Sequence, residues 1–178
     1  MLGGEAPWLD AFLKPLPPSA EILDLGCGSG QPIAAHLIGL GHNLTGVDSS
    51  PQLLAMARDL APGQRWIAAD MRRLGLGRRF DGVLAWDSFF HLSHADQRAM
   101  FSTFAAHVEP GGTLMFTSGP AHGISMGVLF GEPLFHASLA PEEYRHHLDA
   151  HGFDVLAHKA EDPDCGGHTV WLAQRRVA

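Results

Sequence analysis

Cysteine is scarce: Cys27 and Cys165 are the only two in 178 residues, and they lie far apart. Cys27 sits inside a glycine turn that a disulfide would distort, so a reduced, cytoplasmic protein is expected. No stretch reaches the ~18 continuous apolar residues that a membrane span needs. The start, Met1-Leu2-Gly3-Gly4-Glu5, lacks the basic and apolar regions of a signal peptide. Basic runs are absent too, and 12 Lys+Arg against 19 Asp+Glu give a formal net charge of −7. That balance argues against a nucleic-acid footprint, so tRNA and DNA are disfavoured as substrates. Hydrophobic residues make up 46% and charged ones 17%, which suits a globular chain and not a disordered one. The length suits a single domain, residues 1–178, with a sizeable core.

What is present is organised around Ile22-Leu23-Asp24-Leu25-Gly26-Cys27-Gly28-Ser29-Gly30-Gln31. A short apolar strand runs into glycines at alternate positions, and Pro32 to Ile38 then read as helix. Such a turn lets backbone approach a ligand closely and aims helix N-terminal N–H groups at it. A dinucleotide fingerprint wants a further glycine where Gln31 stands. A carboxylate at Asp24 would repel a pyrophosphate and would favour a ligand ammonium.

The remaining chain alternates strands and helices. Trp8, Leu9, Phe12 and Leu13 share one helical face before Pro15, Pro17 and Pro18 stop that helix. Strands are expected at 21–25, 42–48, 65–69, 80–86 and 113–117, with helices at 32–39, 51–60 and 93–108. Residues 118–137 hold glycines and prolines and are expected to form a long loop. A helix from Pro141 to His151 and strands at 153–157 and 169–173 finish the chain. Alternation of this kind gives a Rossmann-like α/β doubly wound sheet, mostly parallel, with an antiparallel last strand. Asp48 ends the second strand, where an acidic residue can accept hydrogen bonds from both ribose hydroxyls or cap the next helix.

The glycine turn with Asp24 closely resembles motif I of the class I S-adenosylmethionine (SAM)-dependent methyltransferases. Glu109-Pro110-Gly111-Gly112 before strand five is similar to the same family. The resemblance covers Trp8 to Gln174 and implies SAM as cofactor. It implies that Gly26, Cys27, Gly28 and Gly30 surround the methionine end, with Asp24 near the ammonium and Cys27 a small filler. Ala85 and Trp86 would flank the methionine end and the sulfonium. Asp48 would take the ribose, Ser49 and Met71 would border the adenine, and Asp70 would accept its amino group. Relative to that family, residues 1–18 give one helix and a linker, an incomplete lid.

Methyl transfer from a sulfonium needs alignment and, for hydroxyl or thiol acceptors, removal of a proton. His91, in the loop after strand four, and His168, at the foot of the last strand, are the candidate bases. His122 and His136, in the long loop, are expected to be exposed, or else to line an acceptor pocket. No metal site is expected, because His91, His136, Cys165 and His168 match no short ligand motif. Strand four lacks the Asn-Pro-Pro-Tyr run of enzymes that methylate nucleobase amines. The expected function is methyl transfer to the O, N or S of a small-molecule acceptor, by a monomer or homodimer. A SAM-binding module without turnover and an NAD-type oxidoreductase remain as alternatives.

Overall fold

The computed structural model describes residues 1–178. Its elements are α1 (Ala6–Leu13), β1 (Glu21–Leu25), α2 (Ile33–Gly39), β2 (Asn43–Asp48), α3 (Pro51–Leu60), β3 (Arg65–Ala68) and β4 (Phe80–Ala85). They continue as α4 (His94–His107), β5 (Val108–Ser118), β6 (Gly123–Leu129), β7 (Glu132–Ser138), α5 (Pro141–Ala150), β8 (Phe153–Asp162) and β9 (His168–Arg175). One sheet has the order β3-β2-β1-β4-β5-β9-β8. Its first five strands pair in parallel, and β9 runs antiparallel between β5 and β8. Strand order reverses between β1 and β4, and a crevice opens at the carboxyl ends of strands at such a switch.

Side chains alternate across the sheet with the period that a strand imposes. Leu23, Val83, Phe116 and Trp171 face a layer built with α4 and α5. Ile22, Leu84, Met115 and Leu172 face the opposite layer, with α1, α2 and α3. Burial on both faces explains why these strands read as nearly continuous apolar runs. Helix α1 lies on the second face with Leu9 and Phe12 fully buried. Its Phe12 carbonyl accepts the Thr113 hydroxyl at 3.0 Å, and the Trp8 indole donates to Asp162 at 2.9 Å.

The largest departure from expectation is residues 118–137, which form the antiparallel hairpin β6–β7 and not a loop. Its turn is Phe130-Gly131, with φ of 49° and 82°. Two positive φ values match the twist of the flanking strands, the condition that tight hairpins favour. Strand β5 starts earlier than expected and β8 runs on to Asp162, so the final connection is short.

A buried polar chain ties the hairpin to the helices. The Tyr144 hydroxyl donates to Gln97 Oε1 at 2.6 Å and accepts the Leu139 N–H at 3.1 Å. Gln97 Nε2 donates in turn to the Ala137 carbonyl at 2.8 Å. Tyr144→Phe strands a buried donor and a buried acceptor, so it is expected to cost about 2–3 kcal/mol. A urea melt of the variant checks this through a lowered midpoint at unchanged slope.

Candidate functional site

Three cavities meet at the carboxyl ends of β1 and β4. The largest, about 800 Å³, is lined by Gly26, Gly28, Asp48, Ser49, Asp70 and Met71 among others. A second, about 240 Å³, lies against Asp24, Cys27, Gly30 and Trp86. The third, about 500 Å³, is lined by Phe90, His91, Leu134, His136 and His168. Gly26 and Gly28 belong to the first two, so one elongated ligand could pass over the glycine turn.

The turn is built for close approach. At Gly26 (φ 77°) a Cβ would stand 2.3 Å from Ser88 Cβ, because the segments after β1 and β4 touch here. Ser88 Oγ seals that contact by donating to the Leu25 carbonyl at 2.6 Å. At Gly28 (φ 56°) a Cβ would meet no protein atom within 4 Å. Its N–H donates to Asp48 Oδ2 at 2.9 Å, and Asp48 Oδ1 accepts the Ser50 N–H at 2.9 Å. Asp48 therefore braces the turn from β2 while keeping lone pairs for a ligand. The cap of α3 is Ser50, whose hydroxyl accepts the Leu53 N–H at 3.3 Å.

Asp24 is 5% exposed, and its carboxylate has no hydrogen-bond partner in the protein. Burial, reinforced by the charge of Asp48, raises its pKa to about 7. A buried carboxylate without a partner is costly, and a cation in the adjoining cavity offsets that cost. Cys27 is buried at the same cavity. Desolvation, followed by the charges of Asp24 and Asp48, raises its thiol pKa, so it is no nucleophile.

The geometry narrows two of the expected contacts. Ala85 is fully buried in the α4–α5 layer, because strand alternation points it away from the cavities, so only its backbone can reach a ligand. Trp86, one position on, does line the second cavity. Asp70 lines the first cavity, but Arg72 holds its carboxylate, with Nη2 donating to Oδ2 at 2.7 Å. The hydrogen bonds from that side chain and from the Arg72 N–H lower the Asp70 pKa to about 2.

His91 ends a short 3-10 turn, Phe89–His91, and does not open α4. Its Nδ1 lies 3.1 Å from the Phe135 carbonyl of β7. A carbonyl only accepts, so Nδ1 carries the proton and Nε2 keeps its lone pair. His168 differs: Nδ1 is 2.6 Å from the Cys165 carbonyl, and Nε2 is 3.0 Å from Asp87 Oδ2. Both nitrogens face acceptors, an arrangement that favours the doubly protonated ring. Burial alone would lower its pKa, but the hydrogen bonds to Asp87 and Cys165, with the Asp87 charge, leave it raised.

His122 is exposed as expected, whereas His136 is half-buried, with Nε2 enclosed and unpartnered. Burial, then the neighbouring His91, lowers the His136 pKa, so the ring is a neutral wall of the third cavity. Among all residues no cluster of three or more His, Cys, Asp or Glu has metal-binding geometry. Asp87, Ser88 and Thr117 join the site without a role foreseen for them, although a carboxylate immediately after the fourth strand was a signal.

Residues 22–112 match the family model described as "Methyltransferase domain". Over 101 residues the chain is 37% identical to a dTDP-3-amino-3,6-dideoxy-alpha-D-glucopyranose N,N-dimethyltransferase of Streptomyces fradiae, covering 56% of this chain and 39% of that protein. A trans-aconitate 2-methyltransferase of Azoarcus sp. (strain BH72) is 32% identical over 101 residues, with the same coverage of 56% and 39%. The chain thus spans about two fifths of the length of these curated relatives. Among solved structures, the glycopeptide N-methyltransferase MtfA complexed with S-adenosyl-L-homocysteine superposes with a TM-score of 0.77 at 21% identity, over 97% of this chain and 89% of that one. CalS10, an amino pentose methyltransferase from Micromonospora echinaspora, gives 0.75 at 23% identity, over 96% and 89%. These two share the fold, and by the match of its motif-bearing half this chain belongs to the methyltransferase domain family.

Proposed function

We propose that the chain is a SAM-dependent methyltransferase acting on a small molecule. The observation that carries this is Asp24, a buried carboxylate without a protein partner beside an open glycine turn. It suits the ammonium of a methionine moiety and repels a pyrophosphate, which disfavours NAD. SAM supplies an activated methyl group. Gly26, Gly28 and Gly30, with Cys27 as a small filler, would hold the methionine end, and Trp86 would flank it. Asp48 would accept from the ribose hydroxyls; Ser49, Asp70 and Met71 would line the adenine. The relatives named as methyltransferases, two of them acting on amino sugars or an amino pentose, support the activity.

For the acceptor, the proton-taking role goes to His91 Nε2, supported by the Phe135 carbonyl 3.1 Å from Nδ1, which favours the tautomer that leaves Nε2 free. His91→Ala is expected to leave SAM affinity unchanged and to lower turnover by roughly 10²–10⁴-fold. Steady-state rates beside calorimetric affinities check the split, and full activity would remove His91 from the mechanism. We also place the protein in the cytoplasm, as a monomer or homodimer that binds neither nucleic acid nor membrane. The net charge of −7 supports this, and no helix is long and apolar enough to cross a membrane. Incubation with methyl-labelled SAM and a mixture of small amines, alcohols, thiols and acids tests the activity. Label in a small product is expected; binding without any transfer would make the chain a SAM-binding module.

A further inference from the structure

Asp87 lines all three cavities, so it stands where the cofactor channel opens into the third cavity. Its backbone is left-handed, with φ of 50°, a conformation that aspartate tolerates better than most residues. Its N–H donates to Thr117 Oγ1 at 2.8 Å, and that hydroxyl donates back to Asp87 Oδ1 at 3.3 Å. The His168 ring holds Oδ2 through Nε2 at 3.0 Å. The side chain is still 46% exposed, which leaves acceptor capacity facing the cavities. A carboxylate fixed from two sides at a junction is a positioned group and not a solvated one.

Charge in the third cavity has a definite sign. Its ionisable lining is Asp87 and Glu161 with His91, His136 and His168, and it contains no lysine or arginine. An acceptor with carboxylates would add negative charge where no guanidinium or ammonium can meet it. An amine brings the complementary charge.

We propose that Asp87 is the residue that receives the methyl acceptor, that the acceptor is an amine, and that His168 positions Asp87 for it. This rests on the methyltransferase function proposed above. The amine enters as an ammonium paired with Asp87. His91 Nε2 takes one of its protons and frees the lone pair. That pair forms the new N–C bond as the C–S bond breaks, with its electron pair remaining on sulfur. The positive charge leaves sulfur and arises on nitrogen, where Asp87 accepts an N–H throughout and stabilises it. His91 returns its proton to solvent.

The test uses the full chain and three probes matched in shape: 2-phenylethylamine, 2-phenylethanol and phenylacetate, each with SAM at saturation. The amine is expected to be methylated at least about tenfold faster than either counterpart, read as a methyl mass increment in the probe. Asp87→Asn should lower kcat/KM for the amine by about tenfold, the effect of losing a charged partner in a half-exposed site. Affinity for S-adenosylhomocysteine, which lacks the sulfonium, should change by less than about threefold. His168→Leu should lower kcat by about tenfold at unchanged KM for SAM, and His168→Gln, which keeps a donor, should restore most of it. Preference for the alcohol or the acid, no methylation of the amine, or full activity of Asp87→Asn overturns the proposal. The preference in the unaltered protein decides the matter even if the variants fold poorly. Absence of S-adenosylhomocysteine binding to the unaltered protein would instead sink the methyltransferase function itself.

Discussion

Gly28→Val is expected to abolish SAM binding and to leave a folded domain. Gly28 has φ of 56°, and a Cβ there meets no protein atom, so the space a side chain would take belongs to the cavities. A β-branched residue in the left-handed region costs roughly 1–3 kcal/mol, a fraction of the 5–15 kcal/mol of a typical domain. The ligand bears the larger loss, because its closest backbone surface is replaced by two methyl groups. Calorimetric titration should show no heat of SAM binding, while thermal unfolding stays cooperative with a modestly lowered midpoint. Normal affinity in this variant would remove the glycine turn from the binding site.

SAM affinity is expected to rise with pH from about 5 to 7 and to level off above that range. Burial first, and then the charge of Asp48, places the Asp24 pKa at about 7 in the free protein. A bound ammonium favours the ionised carboxylate, so below this value binding must expel a proton, up to about tenfold in affinity per pH unit. Stability of the free protein changes in the opposite direction. The unfolded carboxyl ionises near its ordinary 3.8, while the folded one keeps its proton to about 7. Across that window the folded state binds more protons, so stability falls as pH rises, by up to roughly 4 kcal/mol for about three units. Asp24→Asn should therefore stabilise the free protein at pH 8 while weakening SAM binding by about 10²-fold and flattening its pH profile. A pH-independent affinity in the unaltered protein would show that Asp24 takes no part.

The fold was legible where local chemistry dictates it. The alternation of apolar runs with Pro- and Gly-marked helix ends announces a parallel sheet, and the glycines after β1 announce its switch point. Legibility failed at β6–β7, for a physical reason. Ile124, Met126, Val128 and Phe130 are all exposed, so β6 buries no residue and shows no apolar-in, polar-out contrast. Gly127 and Pro133 read as breakers, and its turn is Phe-Gly where Asn-Gly would have been a signal. Within the site, Asp24, Asp48 and the glycines were visible because they lie next to strand ends. The Asp87–His168 pair was not, since it spans 81 positions and depends on the register of β5 against β9. The same holds for His91, whose tautomer is set by a carbonyl of the unforeseen hairpin. That the Ala85 side chain lies in the α4–α5 layer was not legible either, because a motif does not show which face of β4 each residue occupies.

The claim at the centre is that the crevice between β1 and β4 holds SAM, with its ammonium at Asp24. Parallel calorimetric titrations of the unaltered protein with S-adenosylhomocysteine and with NAD test it most directly. S-adenosylhomocysteine is expected to bind at one site in the micromolar range, about −8 kcal/mol, and to release a proton at pH 6 but not at pH 8. NAD is expected to give no heat. Binding of NAD, or binding of S-adenosylhomocysteine with no proton released at pH 6, would contradict that placement.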